Sequence, residues 1–376
     1  MTTRILAILR KEIAEIGRDP YTLGMALILP LVLLFLFAYG LNIDVKNISV
    51  IVLDQDQSTD SRAYQRAFVN SGYFTLVGVA QSQEDIQRAL DTGAAHVGLV
   101  IPPTFGRELA AGRRVDVQAI VDGSFPPTAQ VAEGYVNAIT EAFSAERVSV
   151  YIASRTGGAL LPAVQMQPRV WFNPTLENIN AMVPGLFAVI LLAFPPLLSA
   201  LAIVREKERG SVQQIFVSPT QPYEFILGKL IPYGGLAFIE MLTILLAGVF
   251  WFRVPFQGSV LLLLLAGLLY VLTSVGIGLL VSTVTRTQVA AMMMALVLTL
   301  MPSVLFSGFI YPLHTMPLLQ QLLSTVFPAR YFTEIARGIM MKGSDFGILR
   351  TDLVILLGYT AAVVGLAAWR FEKKVG

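Results

Sequence analysis

The chain has 376 residues, of which 55% are hydrophobic and only 14% charged, and its formal net charge is +2. Soluble domains carry about 25% charged residues, so most of this chain is solvated by lipid. With no Cys and only His96 and His314, disulfide staples, thiolate chemistry and a His-rich metal site are excluded.

Residues 2–18 set Ile5, Leu6, Ile8, Leu9, Ile13 and Ile16 against Arg4, Arg10, Lys11, Glu12, Glu15 and Arg18. Helical spacing gathers the apolar set broadly on one face. An interfacial helix over 1–20 is expected, closed by Asp19-Pro20. Tyr21 to Leu41 then runs uncharged for about the 20 residues a helix needs to cross the hydrocarbon core. Ala38-Tyr39-Gly40 has the look of a signal-peptide cleavage site, but the apolar run is too long for a signal core and its flank too long for an n-region. The reading is an uncleaved first span over 21–42 with the N-terminus inside.

Residues 43–175 change character: charge becomes frequent and balanced, and short β-rich runs alternate with helical ones. Strands are expected at Ile48–Leu53, Phe74–Val79, His96–Ile101 and Val115–Val121. Helices are expected at Ser61–Phe68 and Glu84–Leu90, with a long one over Thr128–Ser154. Placed after one span from an inside N-terminus, this α/β domain is extracytoplasmic. Asp54, Asp56 and Ser58 fall at the first, third and fifth positions of a calcium loop, but Thr59 and Gln65 stand where Gly and Glu belong. A strand end with a helix cap explains them better, and no metal site is expected.

Five further spans occupy 176–376: about Ile179–Val204, Leu230–Trp251, Val260–Val281, Val289–Ile310 and Leu353–Trp369. Pro195-Pro196 predicts a kink in the second. Residues 311–350, broken by Pro312, Pro317 and Pro328, read as an outer re-entrant or surface hairpin. The fold class is thus an α-helical membrane protein of six spans with an α/β domain between the first and second. Arg and Lys gather on 1–20, 205–229 and 370–376, which favours both termini inside, although Arg330, Arg337, Lys342 and Arg350 on 311–350 weaken the bias.

The informative stretch is 205–219, directly after the second span. Arg205, Glu206, Lys207, Glu208 and Arg209 are five consecutive charges, followed by Gly210-Ser211 and a short run with Val212, Ile215 and Phe216 on one side, stopped by Ser218-Pro219. A positive-inside loop explains the Arg and Lys but neither the paired Glu nor the Gly and Pro. The pattern reads as a short amphipathic helix at the membrane surface, offering charge and an apolar edge to a cytoplasmic partner.

This run resembles the cytoplasmic coupling segment of type 2 ATP-binding-cassette (ABC-2) exporter permeases. The resemblance extends to Gly98-Leu99-Val100-Ile101-Pro102 with Phe105, to Asn173-Pro174, and to Ser307-Gly308-Phe309, Pro312, Met316-Pro317, Pro328 and Arg337-Gly338. It departs at Gln213 and Ser211, where that family often has Glu and Thr. The resemblance implies a multidrug-exporter permease of the bacterial cytoplasmic membrane, multi-pass, working as a homodimer or with a similar permease. Its coupling residues would be Arg205, Glu206, Lys207, Glu208, Gly210, Ser211 and Pro219, docking into a cytoplasmic ABC ATPase. The cargo would be drugs or lipids.

No G-x-x-x-x-G-K-[ST] run occurs, since Gly228-Lys229 has Tyr223 where the first Gly belongs and Leu230 where the hydroxyl belongs. The chain is therefore expected to be no enzyme and to bind no cofactor, with ATP and Mg on the partner, and no nucleic acid is expected. An ion-coupled secondary transporter usually shows an internal repeat and several embedded ionisable residues, whereas here Glu240 alone stands out. A membrane-anchored receptor or sensor has no need of five further spans. Hydrogen bonding of Glu240 to Thr243, Thr273 or Ser274 is its structural reading, and contact with cargo or protons its functional one. Met293 and Met301, with Met292 and Met294, are candidate pathway residues or packing filler.

Overall fold

The computed structural model describes residues 2–40, 47–124, 126–156, 171–173, 177–210 and 221–371. Packing divides the chain into two units, one of residues 1–42 with 170–376 and one of residues 43–169.

The larger unit opens with α1 (Thr2–Arg18) and α2 (Pro20–Gly40), joined by Asp19, whose carboxylate caps α2 through the Tyr21 and Thr22 amides. The later helices are α7 (Asn178–Glu208), α8 (Pro222–Trp251), α9 (Val260–Val284), α10 (Gln288–Phe306), α11 (Leu318–Ser324), α12 (Pro328–Lys342) and α13 (Phe346–Arg370). Six of them (α2, α7, α8, α9, α10 and α13) are long and apolar enough to cross a membrane. Helix α7 is the hub: its most apolar stretch is 94% buried, against 22% for α2 and α10 and 11% for α13. Those three outer helices keep wide apolar faces for lipid or a partner.

Helix α7 continues through Pro184, Pro195 and Pro196, the last two being where the sequence predicts a kink. Pro195 has no amide to give Leu191, and the Ser274 hydroxyl of α9 donates to that carbonyl instead. Ser199 reciprocates by donating to Val275 O at 3.0 Å. The two backbones meet because Gly278 has no side chain: a Cβ there would lie 2.1 Å from Pro196 O.

Within the segment read as a re-entrant or surface hairpin, residues 313–327 are mostly exposed, whereas 328–342 are deeply packed. Helix α12 is too short to span, yet it buries Phe332, Ile335, Ala336 and Ile339. Phe332 stacks on Tyr270 with ring centroids 4.2 Å apart. Its Arg337 donates to three backbone carbonyls, Gly308 at 2.7 Å, Phe309 at 3.0 Å and Ala181 at 3.2 Å. Those contacts tie α12 to the end of α10 and the start of α7.

The smaller unit is an α/β sandwich. Strands β1 (Ile48–Asp54), β2 (Phe74–Val79), β3 (Val97–Ile101) and β4 (Gln118–Val121) form one sheet in the order β2-β1-β3-β4, parallel except for β4. Alternation along β1 sends Val50 and Val52 to one face and Ile51 and Leu53 to the other. The first face is covered by α3 (Thr59–Asn70), α5 (Phe105–Ala110) and α6 (Pro126–Thr156), through Tyr64, Phe68, Phe105 and Phe143. The second is covered by α4 (Gln83–Asp91), whose Ile86 sits where a Gly98 Cβ would be. Asp54 accepts from the Asp56 and Gln57 amides, Ser61 and Gln65, and Asp56 accepts from the Gly106 amide. These carboxylates serve the strand end and the helix cap.

Candidate functional site

The charged run forms the last turn of α7, and its first four residues reach other helices of the chain. Arg205 donates to Asp19 at 2.8 Å, at the junction of α1 and α2. That guanidinium, with the Thr22 hydroxyl, holds the Asp19 carboxyl down at about 2. Lys207 donates to Ser282 O and to Thr285 O, satisfying carbonyls that the end of α9 leaves open. Glu208 accepts from the Gln288 amide at 2.7 Å and from the Gln288 side chain, capping the start of α10 where the helix dipole favours an anion.

Glu206 goes inward. It accepts from Lys229 of α8 at 3.0 Å and from Lys11 of α1. Lys229, only 1% exposed, also reaches Glu12 at 2.7 Å, and Lys11 contacts Glu12 at 3.1 Å and Glu15 at 3.3 Å. Burial opposes the Lys11 charge, but the hydrogen bond and field of Glu206, with those of Glu12, outweigh it and raise the ammonium. Glu12, Glu15 and Glu206 bring carboxylate oxygens close enough to suggest a cation site. Two lysine ammoniums already supply the positive charge there.

Read as a string, these charges face water and a partner. The structure turns four of the five onto the chain itself, so the run is first a clamp on α1, α2, α8, α9 and α10. Gly210 ends α7 in the left-handed conformation, φ +73°, with open space around its Cα. A side chain there meets backbone strain and, among the described residues, no clash. Ser211 and Pro219, with Val212, Ile215 and Phe216, lie outside the described residues.

Three clamp residues, Glu12, Asp19 and Lys229, were not singled out as site residues from sequence. Glu12 falls between Ile8 and Ile16 at steps of four, on the stripe that α1 buries, while Leu6 and Ile13 remain exposed. That register was the available signal. Gly228 completes the dock, since a Cβ there would meet Ile8 at 2.6 Å.

The candidate pathway residues do not converge. Glu240 is fully buried inside the larger unit, and among the described residues neither carboxyl oxygen has a hydrogen-bond partner. The three hydroxyls expected to serve it are engaged elsewhere: Thr243 donates to the Glu240 backbone carbonyl at 2.7 Å, Thr273 bonds Leu269 O and Thr360, and Ser274 bonds Leu191 O. Met293 and Met301 stand on the outer face of α10, 61% and 65% exposed in the single chain.

Comparison with known proteins places this architecture. The profile of the ABC-2 family transporter proteins matches residues 21–369. The chain is 30% identical over 373 residues to the probable multidrug ABC transporter permease YbhS of Escherichia coli, covering 99% of this chain and 97% of that protein. It is 29% identical over 375 residues to YbhR, another probable multidrug ABC transporter permease of E. coli, with full coverage of both. The ABC transporter G family member 20 of Dictyostelium discoideum is 22% identical over 338 residues, which span 90% of this chain and 46% of that protein. The six helices long and apolar enough to cross a membrane and the full-length matches identify the chain as a member of the ABC-2 family of transporter proteins.

Proposed function

We propose that this chain is the membrane-spanning permease subunit of an exporter that moves hydrophobic or amphipathic compounds, drugs or lipids, outward. ATP is hydrolysed on a separate cytoplasmic ABC ATPase subunit, which also holds the Mg; this chain carries no phosphate-loop motif of its own. Relatives described as multidrug ABC transporter permeases support the cargo class. In this reading the protein lies in a bacterial cytoplasmic membrane with both termini inside and the α/β unit outside, and a second permease completes the pathway. The exposed apolar faces of α2, α10 and α13 support such pairing.

The observation that carries the mechanism is the clamp at the end of α7. Residues 211–219, the proposed docking segment, follow directly from a turn whose side chains hold five other helices. A displacement of that segment by the ATPase therefore acts on α1, α2, α8, α9 and α10 together, through Arg205, Glu206, Lys207 and Glu208. Gly210 supplies the turn between clamp and segment, and Ser211 and Pro219 belong to the docking surface.

The test is reconstitution with a candidate ABC ATPase subunit. Glu208→Lys removes the cap on α10 and should uncouple cargo-stimulated ATP hydrolysis while the ATPase still co-purifies. Parent-like stimulation in that variant would count against the clamp as the coupling element, and failure of any ATPase to co-purify with the parent would count against the assembly itself.

A further inference from the structure

Beside the clamp lies an open cavity of about 820 Å³, lined by Lys11, Glu15, Arg18, Asp19, Arg205 and Arg209. Its charges do not cancel. Lys11 pairs with Glu15 at 3.3 Å and Arg205 with Asp19 at 2.8 Å, which leaves Arg18 and Arg209 over. Both are exposed, and among the described residues neither guanidinium makes a hydrogen bond or an ion pair. Two unspent guanidiniums therefore face one pocket, each offering a planar fork of donors suited to phosphate oxygens.

The position of the pocket selects the source of that phosphate. It sits where α1 gives way to α2 and where α7 ends, at the level at which spanning helices leave the hydrocarbon. Tyr21, at its rim, is largely exposed, as an interfacial ring is. Below Tyr21 the outer face of α2 continues as exposed Ile28, Val32 and Leu36, a track on which acyl chains can lie. A free phosphate would use the arginines but not that track. Cavities of about 300–1,000 Å³ accommodate small ligands, so the volume admits a glycerol-based headgroup.

We propose that Arg18 and Arg209 hold the phosphate of an anionic phospholipid in this pocket. The lipid then bridges the end of α7 to the α1–α2 junction beside the Arg205–Asp19 pair, and lies against the coupling clamp. In the proposed orientation this lipid belongs to the inner leaflet. Headgroup binding does not depend on that orientation, so its failure is separable from a failure of the topology.

The experiment is native mass spectrometry of the purified full-length chain, titrated with an equimolar mixture of phosphatidylglycerol and phosphatidylcholine. The parent should retain phosphatidylglycerol about tenfold in preference. The pair Arg18→Ala/Arg209→Ala should bring the two lipids to equal retention. Arg18→Lys/Arg209→Lys keeps the charge without the fork and should fall between; it serves if the alanine pair does not fold. Equal retention by the parent, or an undiminished preference in the alanine pair, overturns the proposal. Displacement of the lipid by excess inorganic phosphate overturns the lipid as the source. Loss of the co-purifying ATPase from the alanine pair, with lipid preference intact, assigns the arginines to a protein surface and overturns it as well.

Discussion

Lys229→Met removes the ammonium at the centre of the buried clamp and leaves the chain length and most of the side-chain volume in place. Lys229 lies 2.7 Å from Glu12 and 3.0 Å from Glu206 and is 1% exposed. At an effective dielectric constant of about 20, these contacts correspond to roughly 6 and 5.5 kcal/mol of gross attraction. Desolvation of three charges offsets much of that, and removal of one partner from a buried pair costs about 3–5 kcal/mol net. The cost falls on the dock between α1 and α8, because Lys11 alone cannot neutralise Glu12 and Glu206 together. Helix α1 should therefore lift from α8 while the rest of the larger unit stays folded. The chain has no Cys, so Ile8→Cys reports the event directly. Its thiol packs against Gly228 in the parent and should react with maleimide far faster in the Lys229→Met background. Adding Glu12→Gln should recover part of the loss, since it removes one of the stranded carboxylates. Equal labelling rates with and without Lys229, together with parent-like cargo-stimulated ATP hydrolysis, would refute the clamp.

Gly278→Ala drives a Cβ to 2.1 Å from Pro196 O and Ser199 Oγ, and a backbone carbonyl cannot yield cheaply. The yield of folded protein should fall sharply, whereas Gly235→Ala, with nothing within 4 Å, should express like the parent. For topology, Ser124→Cys should label with an impermeant thiol reagent in intact cells whose outer barrier has been opened, and Ser211→Cys should not. The reverse pattern would invert every span.

The span count was legible because each crossing must be an uninterrupted apolar run of about 20 residues, and composition alone marks that. The strands of the α/β unit were legible as short β-rich runs, such as Ile48–Leu53, while α5 escaped because six residues after Pro102-Pro103 carry too short a pattern. The clamp was not legible. Arg205 to Arg209 look alike as a string of charges, and only the helix ends surrounding the last turn of α7 decide which of them meets Asp19, Lys229, Ser282 O or Gln288. Those ends come from residues 11 to 288 of the chain and share no local pattern. The depth of α12 was hidden for the same reason, since Pro328 and a polar count that includes Arg337 mark a surface helix until three backbone carbonyls are found around the guanidinium.

Glu240 is where the structure changes the expected outcome of a mutation. Pairing with Thr243, Thr273 or Ser274 would make Glu240→Gln a quiet substitution, but those hydroxyls donate elsewhere. A buried polar group without a partner costs about 1–3 kcal/mol on mutational scales. Replacing it by an apolar side chain of similar size, Glu240→Met, should therefore raise the melting temperature of the purified protein, and Glu240→Gln, which buries an equally unpartnered amide, should raise it less or not at all. Polar groups left unsatisfied in this way persist where function requires them. The expected second result is loss of export in Glu240→Met with ATP hydrolysis by the partner intact. A lowered melting temperature in Glu240→Met would reveal a hidden partner for the carboxyl. A raised melting temperature with full export would make Glu240 a passenger, and would leave the outer face of α10, with Met293 and Met301, as the place to look for the pathway.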